Sequence, residues 1–476
     1  MSEKKISKSD DLSAPGKDQL GIPALIGYGS LAAPLQALMN PILIFLPTFY
    51  AVEVGLDLAL VGLIFFLARS WDALTDPIVG ALSDRTKSRF GRRRPWIVLG
   101  TPALMIVSYF VLLPNSNASS FEIGLMLFLF YALWTVVFIP FQAWGAEVSG
   151  NYDQRTRVAT FRESGTVLGV LIGIGIPLLL VDPFAQPLRS MLWPQGMDLS
   201  PSLDSVLTII FITVLVLLPL TAAAACILMP DPPDRSARST HWRQTGAVLL
   251  RNKSLRRLSF GYFVAQLGFL IFLSSVQLLI TRGLQIQAFL FLIFLQHIVA
   301  IGAMPIWLRL GKKFGKHRAY CFSLLLSALG LMALNLVPSG DLNAASLVFL
   351  FAGLGSSGKL IFPPALAADT VDYDTLTTGC REAGTHMAVL NLVNKSTFAI
   401  SVGLVFPLLA FSGFDPTASA PDSGQPMLMA ISTALPAILM LIGVAVMWNF
   451  PLNHQRMKTI GRFLERAQRR ASATPS

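Results

Sequence analysis

Long apolar segments separated by short polar gaps run through almost the whole chain. A transmembrane helix needs about 20 mostly apolar residues, and twelve segments approach or exceed that length. We predict spans at residues 21–50, 58–83, 96–113, 121–144, 159–181, 206–229, 258–280, 285–308, 319–337, 344–368, 385–411 and 427–450. The pattern therefore predicts an all-α membrane protein with twelve transmembrane helices.

The polar gaps alternate in charge along the chain. Basic residues concentrate in gaps such as 84–95 and 231–257, whereas the gap at 114–120 is uncharged and the gap at 415–425 contains no Lys or Arg. Basic loops stay in the cytoplasm. We therefore expect an inner-membrane protein with both termini cytoplasmic.

Composition supports this class and disfavours others. The chain is 53% hydrophobic and 13% charged, compared with about 25% charged residues in soluble domains. The net charge of +11 does not indicate nucleic-acid binding, because the basic residues lie in the gaps rather than along one face. The three cysteines have no metal or redox spacing. No phosphate loop or catalytic triad pattern is present, so we expect neither an enzyme nor a cofactor.

The spans divide into two similar halves. We predict a cytoplasmic tail at 1–20, six-helix halves at 21–230 and 258–450, a cytoplasmic linker at 231–257 and a basic cytoplasmic tail at 451–476. A basic Phe-Gly turn follows the second span at Phe90 and the eighth span at Phe314. Such an internal repeat is expected of secondary transporters. A twelve-span channel stays open as an alternative, although it would not need the matched turns.

Span two contains a charged run in its apolar surroundings. Asp72 and Asp76 are four residues apart, so a helix places both carboxylates on one face, with Arg69 one turn earlier. Intramembrane carboxylates are costly and need a partner, a proton or a cation. The run therefore predicts either a cation site or a structural Arg–Asp network that locks helices together.

Four sequence stretches carry a family resemblance: WDALTDPIVG at 71–80, SDRTKSRFGRRRPW at 83–96, IPFQAW at 139–144 and ADTVDYD at 368–374. Together they resemble the signatures of the glycoside–pentoside–hexuronide:cation symporter family, the melibiose-permease-like branch of the major facilitator superfamily. The resemblance implies that family's fold, with its two six-helix halves.

The resemblance also implies a coupling-cation site. It would consist of Asp72, Asp76 and Thr135. Their hard oxygens suit Na⁺, and alternatively one carboxylate could take a proton. Thr75 completes the predicted cation-binding set. It stands where the family has an Asn that helps to bind Na⁺, which leaves Na⁺ or H⁺ coupling open. Lys395 matches a family lysine near this site, where it would be an internal counter-charge.

The resemblance is weaker on the solute side. Gln36 and Phe138 occupy the positions of the family's sugar-binding acids, and neither is acidic. Arg162 matches the basic residue of helix five, with a salt bridge to Glu147 as the alternative. A galactoside held by two carboxylates is therefore disfavoured relative to another sugar, an anionic glycoside or a more apolar solute. The predicted substrate-binding set is Gln36, Arg162, Gln142 and Lys395.

A second charge network lies at the cytoplasmic end of span two. Arg69, which lies within the span, is predicted to be a structural partner of Asp72 and Asp76. Asp84, Arg85 and Arg89 are predicted to pair charges across the two halves in one conformation.

The sequence thus predicts a Na⁺- or H⁺-coupled symporter that carries a sugar or glycoside by alternating access. The first alternative is a symporter of the same fold for an organic acid or an amphiphile such as a lysolipid. The second is a membrane sensor that no longer transports. The expected partners are a small-molecule solute and the lipid bilayer, and the chain is expected to be a monomer.

Overall fold

A computed structural model describes residues 20–115, 118–148, 152–192, 202–231, 249, 251–378, 383–417, 423–452, 455–457, 459–460 and 462–463. Twelve helices in this part of the chain are long and apolar enough to cross a membrane. We label them α1 to α12: Ile22–Ile44, Leu58–Arg85, Arg94–Leu112, Ser120–Glu147, Thr156–Val181, Leu203–Leu228, Lys253–Gly283, Phe289–Phe314, Lys316–Leu336, Leu342–Thr378, Gly384–Phe411 and Gln425–Trp448. The predicted all-α, twelve-helix class is confirmed.

Helix boundaries follow local chemistry. Side chains of Asp57, Ser119, Ser202 and Asn252 accept hydrogen bonds from backbone N–H groups in the first turns of α2, α4, α6 and α7, which satisfies donors that a helix start leaves free. Helix α10 extends ten residues past its predicted end at residue 368. Its polar end is stabilised because Lys316 contacts Asp369 at 2.6 Å and Arg251 contacts Asp374 at 3.4 Å.

The helices pack as two sets of six. In the first set, α5 packs closely on α1, and a Cβ added at Gly165 or Gly169 would lie within 2.2 Å of an α1 carbonyl oxygen. Glycine is therefore required there for close approach. Exposed large side chains such as Leu99, Ile227 and Leu329 form an apolar exterior suited to lipid. The predicted domain boundaries stay predictions, and most of the two tails and the linker lie outside the described residues.

The two halves meet through α2 with α11, α5 with α8, and α1 with α7. One end of this interface contains Asp182, and we call it the Asp182 end. There Asp182 Oδ2 accepts backbone hydrogen bonds from Leu290 (3.1 Å) and Phe291 (3.3 Å) at the start of α8. The Phe184 and Phe291 rings stack at 3.7 Å. The halves are thus joined tightly at the Asp182 end.

The opposite end, which we call the Asp84 end, holds a charge network within the first half. Arg93 is buried and contacts Asp84 at 2.5 Å and Glu147 at 2.6 Å. Burial lowers the pKa of Arg93, but its hydrogen bonds with Glu147 and Asp84 raise it by more, so the net shift is upward. Arg92 also contacts Glu147, at 2.9 Å. These pairs fix the α2–α3 turn against α4.

Candidate functional site

Asp72 and Asp76 lie on one face of α2, at the middle of the bundle. Asp72 is fully buried, whereas Asp76 is partly buried. Pro77 follows Asp76 within the helix and has no N–H to donate to the carbonyl of Ala73. The helix is therefore locally weakened next to the second carboxylate.

Two cations compensate the two carboxylates. Arg69 Nη1 lies 2.8 Å from Asp72 Oδ2. Lys395 Nζ, from α11 in the other half, lies 3.0 Å from Asp72 Oδ2 and 2.5 Å from Asp76 Oδ2. The four groups sum to zero charge. The Lys395 ammonium thus bridges the two acids, and its predicted roles as an internal counter-charge and as a solute ligand stay predictions.

The two predicted threonine ligands behave differently. Thr135 Oγ1 of α4 lies 2.8 Å from Asp72 Oδ1 and 3.2 Å from Asp76 Oδ1. Thr75 Oγ1 instead donates to the backbone carbonyl of Asp72 at 3.1 Å, as helical threonines commonly do. Three side-chain ligand groups, from Asp72, Asp76 and Thr135, therefore converge, and the Thr75 hydroxyl is engaged by its own helix.

Aromatic rings hold Arg69 in place. Its guanidinium carbon lies 3.8 Å from the ring centroid of Phe398 on α11 and 4.7 Å from that of Tyr131 on α4. A guanidinium over ring faces is attracted by their quadrupoles. Arg69 is thus fixed by three helices, which agrees with its predicted structural role. Neither ring was singled out from the sequence, because aromatic residues are frequent throughout the spans.

The predicted solute residues have separate partners. Gln36 Nε2 donates to Asn40 Oδ1 at 2.9 Å. Arg162 contacts Glu163 at 2.6 Å and interacts with the Tyr28 hydroxyl, while Glu147 pairs with Arg92 and Arg93. Arg162 therefore forms a salt bridge with an acid, as the alternative expected, but the acid is Glu163; the suggested partner Glu147 is wrong in this structure.

Two further positions, Gln142 of the predicted substrate-binding set and Phe138, lie one turn apart on α4. Gln142 is half-buried and has no polar partner among the described residues. Phe138 stacks on Trp134 at 5.4 Å. An apolar aromatic surface therefore stands where the family resemblance would place an acid.

The residues that were predicted to pair charges across the two halves make their observed contacts within the first half. Asp84 pairs with Arg93 as described above, Arg85 is exposed, and the Arg89 guanidinium lies 4.7 Å from the ring centroid of Phe90. Cross-half pairing by Asp84, Arg85 and Arg89 remains a prediction for another conformation.

One buried cation, Lys359, was not predicted as a functional residue from the sequence. Lys359 lies within the apolar part of α10 and is 7% exposed. The signal was present, because any ionisable residue inside a span is a functional candidate.

Sequence relatives are symporters and carriers. The chain is 25% identical over 471 residues to the sodium-dependent lysophosphatidylcholine symporter 1-B of Danio rerio, covering 92% of this chain and 89% of that protein. It is 24% identical to the inner membrane symporter YicJ of Escherichia coli (strain K12), covering 95% and 96%. It is also 24% identical to the glucuronide carrier protein homolog of the same strain, covering 93% and 95%. Each alignment spans almost the full length of both chains.

Solved structures share the fold. A point mutant of the nucleoside transporter NupG superposes with a TM-score of 0.64 at 12% identity, covering 89% of this chain and 99% of that one. A bacterial homolog of the human lysosomal transporter Spinster, in an inward-facing and occupied conformation, gives a TM-score of 0.60 at 16% identity, covering 92% and 96%. At these identities the likeness shows the major facilitator fold alone.

The family follows from the extent of one match. The family model described as MFS/sugar transport protein covers residues 27–454, which includes all twelve helices except the first turn of α1. Together with the full-length similarity to YicJ and the glucuronide carrier homolog, this match establishes that the chain belongs to the MFS/sugar transport family, in its glycoside–pentoside–hexuronide:cation symporter branch.

Proposed function

We propose that this protein is a cation-coupled symporter in which Asp72, Asp76 and Thr135 bind the coupling ion. One observation carries the proposal: the Lys395 ammonium lies between the buried carboxylate of Asp72 and the partly buried carboxylate of Asp76, within 3.0 Å of both. A site that accommodates an ammonium between its oxygens has the charge and the ligands for a monovalent cation. The carboxylates and the Thr135 hydroxyl supply these ligands.

The transport cycle follows from charge balance. With Lys395 in place beside Arg69 the acid pair is neutralised, so the halves can rearrange without a coupling ion. An incoming cation replaces the ammonium, and Lys395, which belongs to the other half, is released. The cation thereby changes the contacts between α2 and α11 and prepares the central space for solute. A coupling free energy of about 1–3 kcal/mol is enough to link the two events.

We propose Na⁺ as the coupling ion. Two carboxylates and a hydroxyl are hard oxygen ligands, and four relatives carry names that describe sodium-dependent symporters. The second candidate is H⁺, because a carboxylate beside a displaceable lysine can also take a proton.

We propose a glycoside as the solute class, on the basis of the family and of relatives such as the glucuronide carrier homolog. An amphiphile is the second candidate. It is favoured by Phe138 stacked on Trp134, which replaces an expected acid with an apolar surface, and by the lysophosphatidylcholine symporters among the relatives.

Orientation is part of the proposal. The basic α2–α3 and α8–α9 turns would be cytoplasmic by the positive-inside rule, so the Asp182 end would face outward in a bacterial-type inner membrane. The tight contacts there correspond to a conformation closed to the outside.

The test is a comparison of Na⁺ responses in purified protein. Wild-type protein should be stabilised against thermal unfolding by NaCl relative to choline chloride, and in proteoliposomes an inward Na⁺ gradient should drive accumulation of a radiolabelled glucuronide or lysophosphatidylcholine. Asp72→Asn and Asp76→Asn should each lose both the thermal shift and the gradient-driven accumulation, because a neutral amide cannot balance a cation.

A matched control is Asp204→Asn, which removes an exposed carboxylate at the start of α6 and should respond like wild type. Repeating the assay with a pH gradient separates H⁺ from Na⁺ coupling. Wild-type accumulation in both α2 variants, driven by either gradient, would refute the proposed site.

A further inference from the structure

Lys359 is an intramembrane cation with no partner of opposite charge among the described residues. Its side chain lies at mid-length of α10, nine-tenths buried. Within the described part of the chain, its ammonium makes a single contact, over the ring of Phe269 on α7 at 4.1 Å. A ring face compensates a buried cation only partly, and a buried charge is normally paired.

Lys359 lies near a group of polar side chains on α7 and α11. Phe269 is partly exposed, and Gln266 lies one turn away on the same face of α7. Gln266 Nε2 donates to Asn394 Oδ1 of α11 at 2.9 Å. Asn391 and Asn394 are exposed although they lie in the middle of a span. Polar groups at that depth face water-filled cavities rather than lipid.

One of these polar residues, Asn394, lies next to the proposed cation site. Asn394 is adjacent to Lys395, whose ammonium contacts Asp72 and Asp76. The Phe269 ring, which covers the Lys359 ammonium, therefore lies one turn of α7 from the Gln266–Asn394 hydrogen bond, and Asn394 precedes the lysine that contacts the two acids. A rotation of this one aromatic side chain would uncover the ammonium for a solute that enters between the halves.

Charge balance identifies what Lys359 needs. Arg69 and Lys395 balance Asp72 and Asp76, and Arg162 is balanced by Glu163. Among the described groups at this depth, Lys359 has no such counterpart. Cation binding at Asp72 and Asp76 adds a further positive charge to the same region. A solute that brings one negative charge offsets one of the two positive charges, on Lys359 and on the cation, that are otherwise uncompensated when the carrier is loaded.

We propose that Lys359 binds an anionic group of the transported solute, a carboxylate or a phosphate, with Phe269 covering the ammonium until the solute arrives. This inference rests on the proposed symport function and specifies its substrate class. A purely packing role is the competing explanation, in which the lysine stem fills space and its ammonium remains on the Phe269 ring.

The experiment uses three pairs of probes that differ in one anionic group. They are phenyl β-D-glucuronide with phenyl β-D-glucoside, lysophosphatidate with monoacylglycerol, and benzoate with benzyl alcohol. Apparent affinities are measured by ligand-induced thermal stabilisation of the full-length protein in NaCl. Wild type should bind the anionic member of at least one pair about tenfold or more tightly, as expected for a hydrogen-bonded charge pair.

The substitutions separate recognition from packing. Lys359→Met keeps the length of the stem and should reduce the preference to about one, while Lys359→Arg should retain most of it. Lys313→Met is the matched control, because its ammonium also lies over a ring, that of Phe314 at 5.3 Å, but is exposed. It should behave like wild type.

Stabilisation by Na⁺ shows that a variant is folded and that its coupling site is intact, and this measurement does not depend on solute binding. It should persist in Lys359→Met, whereas Asp72→Asn should lose it, so failure of this inference is distinguishable from failure of the symport proposal. Equal affinity within all three wild-type pairs would overturn the inference, as would an anion preference that survives in Lys359→Met.

Discussion

At the scale of single residues, Asp72 makes more polar contacts than any other group of the site. Its two oxygens contact Arg69, Lys395 and Thr135, which come from three different helices. Asp76 shares two of these partners, with Lys395 closer to it than to Asp72. In the proposed cycle the shared lysine is the group that leaves when a cation enters, since Arg69 is held by aromatic rings.

Thr135→Ala should weaken Na⁺ binding. The hydroxyl is a neutral ligand within reach of both carboxylates, and a hydrogen bond to a charged group contributes about 1.5–3 kcal/mol. The apparent Na⁺ affinity should therefore fall roughly tenfold or more, measured as the NaCl dependence of the thermal shift.

Thr75→Ala provides the comparison for that variant. The two threonines are both buried and carry the same group, but Thr75 donates to a backbone carbonyl. Its replacement should change Na⁺ affinity less than about threefold. Equal losses in the two variants would contradict the assignment of Thr135 as the neutral ligand.

The residue scale also marks the limit of sequence reasoning. The four-residue spacing of Asp72 and Asp76 was sufficient to place both acids on one face, because that depends only on helix geometry. The partners of Arg162, Glu147 and Lys359 were not accessible in this way. They depend on which side chains neighbouring helices present at the same depth, and spacing within one segment contains no such information.

At the scale of helices, the span pattern predicted the elements well and their ends less well. The apolar run of α10 stops near residue 368, yet the helix continues because Asp369 and Asp374 find basic partners on other segments. Hydropathy reports where lipid can cover a helix. It does not report where salt bridges extend one beyond the membrane.

The contact between α2 and α11 at the Asp182 end depends on small residues. A Cβ at Gly62 would lie 2.5 Å from Pro407 Cδ, and one at Gly403 would lie 2.9 Å from Phe66 Cβ. Both distances are below those that real Cβ atoms accept, so these helices approach each other only because glycine is present. The interface is consequently sensitive to one added methyl group.

Gly62→Ala should shift the protein away from the conformation described here. Overpacking costs about 1–3 kcal/mol, which corresponds to a roughly 5- to 150-fold change in the balance between conformations. The measurement is the distance between spin labels at Leu82 and Leu376, exposed positions on α2 and α10 near the Asp84 end. With the three native cysteines replaced, the population with the shorter distance should increase.

Gly302→Ala is the control for this helix contact, since nothing lies within 4 Å of a Cβ at that position in α8. Its distance distribution should match that of the parent protein. An unchanged distribution in Gly62→Ala would show that the α2–α11 contact does not determine which end of the bundle is closed.

At the scale of the whole molecule, the two halves are linked by different chemistry at different depths. Backbone donors of α8 cap Asp182 at one end, and Lys395 of the second half reaches the acids of the first half at the middle. At the Asp84 end, the pairs of Arg93 and Lys316 each remain within one half. A rearrangement of the halves must therefore either break the contacts of Lys395 with Asp72 and Asp76 or keep them intact.

Lys395→Ala should separate net transport from exchange. Without the lysine, a carrier that has released its cation leaves the pair Asp72 and Asp76 with only Arg69 as a counter-charge, and this uncompensated buried charge opposes its return. A loaded carrier contains the cation and can still rearrange. In proteoliposomes, exchange of labelled for unlabelled solute at equal Na⁺ on both sides should persist, while Na⁺-driven accumulation should fall by about tenfold or more. If exchange and accumulation decline together, Lys395 acts in forming the loaded site rather than in resetting the empty one.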